Sequence, residues 1–290
     1  MADILGLGLS HYPGPSVPVE AWPTMLEKNV ELGRVTPDLY ADKSRWPAEM
    51  RAEWGSDDGV TAAKAHRARL MAGYDKLRDA LDAFRPDIVF IRGDDQYENF
   101  KRECIPAFCV GVFDKVVGKP LSGTLGPFKT KANAWNLPTD TELTIRGHYQ
   151  GSSEFVRFLL DDGFDVAYLM ETRDPRGLAH SFNNTIMYLD HWRRPFEYPV
   201  IPFHVNCYGN QLMKVAAGTE SAPLLRRRPR HRALLRRKPL ACRVDRLVEL
   251  VARLALRQAR QALSRPARRP GALRGSRQRA LCALGRTQPR

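Results

Sequence analysis

The sequence has no long hydrophobic run, few cysteines and no sign of a signal for export. No stretch reaches the roughly 18 consecutive apolar residues that a transmembrane helix needs, so we expect no membrane partner. The five cysteines are an odd number without a CxxC pair, which disfavours a disulfide framework and favours reduced thiols. Asp3 precedes the first apolar run and no Lys or Arg does, which is unlike a secretory signal. These absences predict a cytoplasmic protein.

Aromatic and acidic residues almost disappear after residue 215. Residues 216–290 contain 21 Lys and Arg residues, three acidic residues and no Phe, Tyr or Trp, whereas residues 1–215 contain 25 basic and 29 acidic residues. The formal charge is therefore +18 in the second part and −4 in the first. We predict an α/β domain over 1–215 and an irregular, Arg-rich tail over 216–290.

Strand and helix patterns alternate along the first 215 residues. Apolar residues spaced three and four apart, among them Leu70, Tyr74, Leu77 and Leu81, indicate an amphipathic helix. The predicted helices are 60–84 and 152–160, and the apolar runs of strand length are 4–9, 87–93, 166–170 and 200–205. This alternation predicts a single α/β domain with a central mixed sheet flanked by helices.

Polar residues follow the predicted strands. His11 comes after the first strand, the sequence Asp94-Asp95-Gln96 comes after the second, and His180 lies in the loop after the third. Ligands of α/β proteins bind at the carboxyl ends of strands, so these residues form a candidate site. From the pattern alone, His11 is either a metal ligand or a hydrogen-bonded structural residue. His204 alternates with apolar residues and is predicted to be a packed, hydrogen-bonded side chain of the fourth strand.

Taken together, these segments resemble the class III extradiol ring-cleavage dioxygenases, the family of the protocatechuate 4,5-dioxygenase catalytic β subunit. The matching segments, in chain order, are Leu9-Ser10-His11-Tyr12-Pro13, Pro86-Asp87-Ile88-Val89, Gly93-Asp94-Asp95, Ile105-Pro106-Ala107-Phe108, Gly147-His148, Ala179-His180-Ser181 and Val200-Ile201-Pro202-Phe203-His204-Val205-Asn206. The resemblance covers roughly residues 1–210, and the collinear order of short motifs carries it.

The resemblance implies Fe(II)-dependent cleavage of a catechol-type ring next to its hydroxyl groups, with an aromatic diol and O2 as partners. Two histidines and one carboxylate leave iron positions open for both. It implies that His11 binds the iron and that His180 lies next to the metal ligands or on the substrate side, which makes His180 the candidate catalytic residue among those present, since a histidine outside the metal ligands can move protons at neutral pH. We expect Asp95 and Gln96 to complete the metal site. A homo- or hetero-oligomer is compatible with the resemblance.

The sequence departs from the family at Gln96, which stands where the family's second histidine ligand is expected. A carboxamide is a weaker donor to Fe(II) than an imidazole. Three alternatives follow: the neighbouring Asp94 or Asp95 binds the iron, the site is built differently in this branch, or iron is not held. The last alternative predicts a non-catalytic subunit or adaptor of the same fold.

The basic tail stands where the family's acid/base histidine and carboxylate ligand are expected. Its Arg-, Ala-, Leu- and Pro-rich usage is typical of GC-rich coding sequence in another frame. Our hypothesis is that the reading frame changes near residues 215–225, so that the chain as written lacks these groups; whether such a chain is active is a question for an activity measurement. The tail's own positive charge would attract nucleic acid, but it has no aromatic residue to stack on bases, and we do not expect that partner.

Overall fold

The computed structural model of the chain describes residues 3–123, 128, 130–206 and 279–284. Its helices are α1 (Thr24–Glu31), α2 (Pro37–Ala41), α3 (Ala48–Trp54), α4 (Val60–Phe84), α5 (Tyr149–Asp161) and α6 (His180–Tyr188). Its strands are β1 (Asp3–Leu7), β2 (Ile88–Gly93), β3 (Phe108–Gly111), β4 (Lys115–Gly118), β5 (Leu143–Arg146), β6 (Val166–Leu169), β7 (Val200–Val205) and β8 (Arg279–Leu284). None of the helices in these ranges has the length and apolarity required to cross a bilayer.

Six of the strands form one mixed sheet in the order β1-β8-β2-β7-β3-β6. The first four run parallel to one another, β3 is antiparallel to β7, and β6 is parallel to β3. The α/β class and the mixed sheet predicted from the sequence are therefore confirmed. Strands β4 and β5 pair antiparallel in a second, two-stranded sheet.

The side chains of β2 alternate between two apolar layers, as strand geometry requires. Val89 and Ile91 pack with residues of α4 and α6 on one face. Phe90 packs on the other face, where its ring lies 5.1 Å from that of Phe155 in α5. Helices thus cover both faces of the central strands. The carboxyl end of β2 lies next to α6, which also contacts the loop that follows β1.

The helix predicted over 60–84 coincides with α4. In the structure this helix is bounded by Gly59 and Arg85, which both adopt left-handed conformations, and Pro86 follows. The sequence analysis missed α6 and placed His180 in a loop, which is wrong, since His180 is the first residue of that helix. The helix has only nine residues, and polar and apolar side chains are buried together from Ser181 to Tyr188, so its short pattern is difficult to distinguish from that of a loop.

The predicted tail is described only at 279–284, where it forms β8 between β1 and β2. These six residues are thus a parallel strand and differ from the irregular structure predicted for the tail. The sequence Ala280-Leu281-Cys282-Ala283-Leu284 is apolar enough for a strand with neighbours on both sides. Residues 207–278 and 285–290, and with them the predicted domain boundary at 215, lie outside the described residues.

Candidate active site

The loop after β1 carries His11, and side chains of α4 and α6 hold its backbone. The carbonyl oxygens of residues 10–12 each accept one hydrogen bond from a helix. Tyr74 donates its hydroxyl to the first at 2.9 Å, the amide of Asn184 donates to that of His11 at 2.9 Å, and the Tyr188 hydroxyl donates to the third at 2.8 Å. The position of His11 is therefore fixed by the packing of two helices.

The imidazole of His11 faces the carboxylate of Asp94 across a short gap. His11 Nε2 lies 3.5 Å from Asp94 Oδ1, and this oxygen is buried without a hydrogen-bond partner among the described residues. The other oxygen, Oδ2, accepts a hydrogen bond of 3.1 Å from the Gln96 amide. Burial lowers the pKa of His11, the Asp94 charge opposes this, and nearby His180 adds to the lowering. A neutral imidazole nitrogen and a carboxylate oxygen thus converge here.

Asp95 organises the turn that follows β2. Its carboxylate accepts backbone N–H groups from Glu98 at 2.9 Å, Asn99 at 2.9 Å and Phe100 at 3.4 Å. Tyr97, within this turn, has a φ of 62°, a conformation that costs a non-glycine residue energy. Burial raises the pKa of Asp95, and the three backbone donors oppose that rise in part. Both carboxylate oxygens of Asp95 are therefore engaged in shaping the turn.

The turn delivers Glu98 to His180 at the start of α6. Glu98 Oε1 accepts the backbone N–H of His180 at 2.9 Å, and Oε2 lies 3.0 Å from His180 Nδ1. Burial alone would raise the pKa of Glu98, but the hydrogen bonds and charge of His180, with the charge of Arg176, outweigh it and lower the pKa. Burial alone would lower the pKa of His180, but the bond to Glu98 and the Glu98 charge outweigh it and raise the pKa. Each of the two groups therefore stabilises the charged form of the other.

Asn99 joins the same turn to the segment that precedes α6. Its amide donates to the carbonyl of Gly177 at 3.1 Å, and its oxygen accepts the backbone N–H groups of Arg173 at 2.9 Å and Asp174 at 3.2 Å. Ser181 adds a bond of 2.6 Å from its hydroxyl to the carbonyl of Asp94. These bonds link the turn to α6 on both sides of the Glu98–His180 pair. The His11–Asp94 pair and the Glu98–His180 pair therefore form one connected cluster.

The structure brings His11 and His180 together, with ring centroids 5.1 Å apart. Gln96 belongs to the cluster through its bond to Asp94, whereas the Asp95 carboxylate is directed to its own turn. Asp94, left among the alternatives, and Glu98, missed by the sequence analysis, contribute the carboxylates. An acidic residue three or four positions after Asp95 was the available signal, since a turn of that length returns the chain towards the strand end.

Two other histidines lie outside the cluster. His148 precedes α5, and its Nδ1 accepts the backbone N–H of Gly151 at 2.9 Å, so that its side chain caps the start of that helix. His204 is fully buried in β7 as predicted, but neither ring nitrogen has a hydrogen-bond partner among the described residues.

Two side chains of the cluster offer ligand atoms of the kind that a ferrous ion binds. Imidazole nitrogen and carboxylate oxygen are suitable ligands, and His11 with Asp94 supplies one of each. Asp94 Oδ1 is buried and has no hydrogen-bond partner in the part of the chain that the structure describes, so this oxygen is available to a cation. Within the described ranges, no group of three His, Cys, Asp or Glu side chains is arranged to hold a metal ion. His11 and Asp94 therefore fit two of the three positions of a two-histidine, one-carboxylate site.

Comparison with known proteins points to ring-modifying dioxygenases. The chain is 27% identical over 139 residues, 48% of its length, to the 2,3-dihydroxyphenylpropionate/2,3-dihydroxicinnamic acid 1,2-dioxygenase of Photorhabdus laumondii. It is 25% identical over 150 residues, 52% of its length, to the protein of the same name from Rhodococcus globerulus. The matches span 36% and 40% of the lengths of these relatives. No protein-family model matches the chain. The chain is thus a distant relative of dioxygenases named for dihydroxylated aromatic acids.

Proposed function

We propose that this chain belongs to the class III extradiol dioxygenases and has their Fe(II)-dependent ring-cleavage chemistry, acting on a catechol-type aromatic with O2. The observation that carries the proposal is the meeting of two His–carboxylate pairs, His11 with Asp94 and His180 with Glu98, at the carboxyl end of β2. The named activity of the distant relatives supports the same chemistry.

His11 Nε2 and Asp94 Oδ1 are the atoms that would hold the iron. When bound, ferrous iron supplies a centre at which a diol and O2 can be held together. The Asp94–Gln96 hydrogen bond fixes the carboxylate and leaves Oδ1 directed towards His11. We therefore replace the predicted ligands Asp95 and Gln96 by Asp94, with Gln96 orienting it.

His180 is the group that moves a proton. Its Nδ1 is engaged by Glu98, so Nε2 is the atom that would accept a proton from a substrate hydroxyl. Burial of the cluster limits the access of water and strengthens the charge interactions within it. The raised pKa of His180 keeps a proton, once accepted, available for return to the opened ring.

The test uses the full chain loaded with Fe(II) under anaerobic conditions and then given 2,3-dihydroxyphenylpropionate and O2. We expect diol-dependent O2 uptake and a ring-opened product. His180→Gln is expected to lower kcat by about 10²–10⁴-fold, the usual contribution of a general acid or base. His66→Gln is the control, because His66 is exposed on α4 and outside the cluster.

An iron-loaded chain that consumes no O2 with any catechol-type diol would contradict the proposal. That result would favour the non-catalytic subunit or adaptor. The predicted cytoplasmic location and the oligomeric state stay predictions.

A further inference from the structure

We propose that Glu98 is a positioning residue that fixes His180 in one tautomer, with the proton on Nδ1 and the lone pair on Nε2. The catalytic consequence of this rests on the proposed function, whereas the tautomer itself is a property of the folded chain. Nothing in the resemblance assigns a role to residue 98.

Hydrogen bonds to His180 fix the orientation of the Glu98 carboxylate. Glu98 is 8% exposed, each of its oxygens contacts His180, and Oε2 also accepts the backbone N–H of Gln96 at 3.5 Å. Oε1 accepts the backbone N–H at 2.9 Å, and Oε2 lies 3.0 Å from ring Nδ1. An ionised carboxylate can only accept hydrogen bonds, so Nδ1 must be the donor. A neutral His180 is then protonated at Nδ1, and Nε2 is the ring atom that accepts.

Glu98 is itself held so that it cannot turn away. Its backbone N–H donates to Asp95 Oδ1 at 2.9 Å within the turn after β2. Asn99, the next residue, is bonded to the segment before α6. The carboxylate and the first residue of α6 are therefore fixed relative to each other by bonds on both sides of the pair, which is what a tautomer-selecting contact needs.

Replacing Glu98 by glutamine is expected to exchange the tautomer of His180. A glutamine side chain has one acceptor oxygen and one donor NH2 group. Two backbone N–H groups, which can only donate, face this side chain: that of His180 lies 2.9 Å from Oε1 and that of Gln96 lies 3.5 Å from Oε2. The shorter bond takes the glutamine oxygen, which leaves the NH2 group facing Nδ1. Nδ1 must then accept, and the ring proton moves to Nε2. In Glu98→Gln the side chain keeps its size and its two contacts, but Nε2 can no longer accept a proton.

The test is histidine-selective 15N NMR of the full chain, with the pH raised until the His180 shifts no longer change, so that the imidazole is neutral although its pKa is raised. His180→Gln identifies the His180 signals. In the unsubstituted chain we expect a pyrrole-type shift at Nδ1 and a pyridine-type shift at Nε2, and in Glu98→Gln we expect the two to be exchanged. Glu103→Gln is the matched control, since Glu103 is an exposed carboxylate on the same segment that contacts Arg173. It should leave the His180 shifts unchanged.

A pyridine-type shift at Nδ1 of His180 in the unsubstituted chain overturns the proposal without the Glu98 variant, so a Glu98→Gln protein that fails to fold leaves it testable. An unchanged tautomer in folded Glu98→Gln also overturns it. With the iron-loaded chain and a diol, Glu98→Gln should lower kcat by about 100-fold or more and change KM little, because proton acceptance is lost while binding is kept. Exchanged 15N shifts in a chain without dioxygenase activity would support the positioning role and contradict the proposed function.

Discussion

His204 is a polar side chain that is fully buried among aromatic rings. It lies in β7 between the rings of Phe100 and Phe182, with centroids 5.4 and 4.4 Å away. Burial lowers its pKa to about 3, and the charge of Glu98 opposes this only in part. The imidazole therefore stays neutral in the folded protein at any pH where the fold is studied, without a hydrogen-bond partner among the described residues.

We expect His204→Leu to stabilise the chain. Leucine has a similar volume and removes an unpartnered polar group, a change worth about 1–3 kcal/mol in proteins. The gain should be larger at pH 5 than at pH 8. The unfolded chain binds a proton at histidine below its usual pKa of about 6.5 while the folded chain does not, so the unsubstituted protein loses stability as the pH falls from there.

Urea denaturation at the two pH values measures both effects, with His66→Leu as the exposed control. A His204→Leu protein that is less stable at both pH values, or whose gain does not depend on pH, would show that the ring has a partner.

At the residue scale, the sequence revealed the histidines of the site but not their partners. His11 and His180 stand out because each follows an apolar run near a Gly or Pro. The choice between Asp94 and Asp95 depends on which carboxylate turns towards its own backbone. Sequence spacing does not determine that choice, because adjacent side chains after a strand end can point either way.

Helix α6 packs against the end of β2 at a distance that only glycine permits. A Cβ atom at Gly93 would lie 2.5 Å from Ser181 Oγ and 2.9 Å from the ring of Phe182. Both neighbours belong to the first turn of α6, directly after His180. The close approach of strand and helix is therefore what places His180 beside the residues that follow β2.

Gly93→Ala should accordingly push the start of α6 away from β2. We expect a loss of about 1–3 kcal/mol in the free energy of unfolding, as for other overpacked sites. We also expect weaker ring cleavage because the Glu98–His180 contact is displaced. Gly73→Ala is the matched control: a Cβ there has nothing within 4 Å, and alanine in a helix interior is favoured over glycine by about 0.5–1 kcal/mol.

Thermal denaturation and the 15N shifts of His180 measure the two effects. A Gly93→Ala chain as stable as the Gly73→Ala chain, with His180 unchanged, would contradict the close-packing account.

The length of a helix affected how well the sequence predicted it. The apolar stripe of α4 extends over 25 residues, whereas α6 has only nine residues and buries polar side chains together with apolar ones. Strand β3, whose four residues end in a glycine, was missed, although the equally short β6 was predicted. Strand β8 was hidden by the composition of the region around it, because the Arg-rich sequence on its N-terminal side dominated the pattern.

At the scale of the whole molecule, the chain combines a nearly neutral α/β region with a strongly basic one. The change of reading frame near 215–225 remains our hypothesis, and it concerns residues outside the described ranges except for β8. Resequencing the coding DNA tests it. We expect a shift in frame near those codons, and an intact frame whose related loci encode the same basic tail would contradict it.

The measurement that tests the account most directly is ferrous-ion binding by the full chain under anaerobic conditions. The account predicts one ion per chain, bound through His11 and Asp94, with binding lost in His11→Ala and in Asp94→Asn and kept in His66→Ala. Equal iron binding by His11→Ala and the unsubstituted chain, or none by either, would contradict the claim that these two side chains hold the metal.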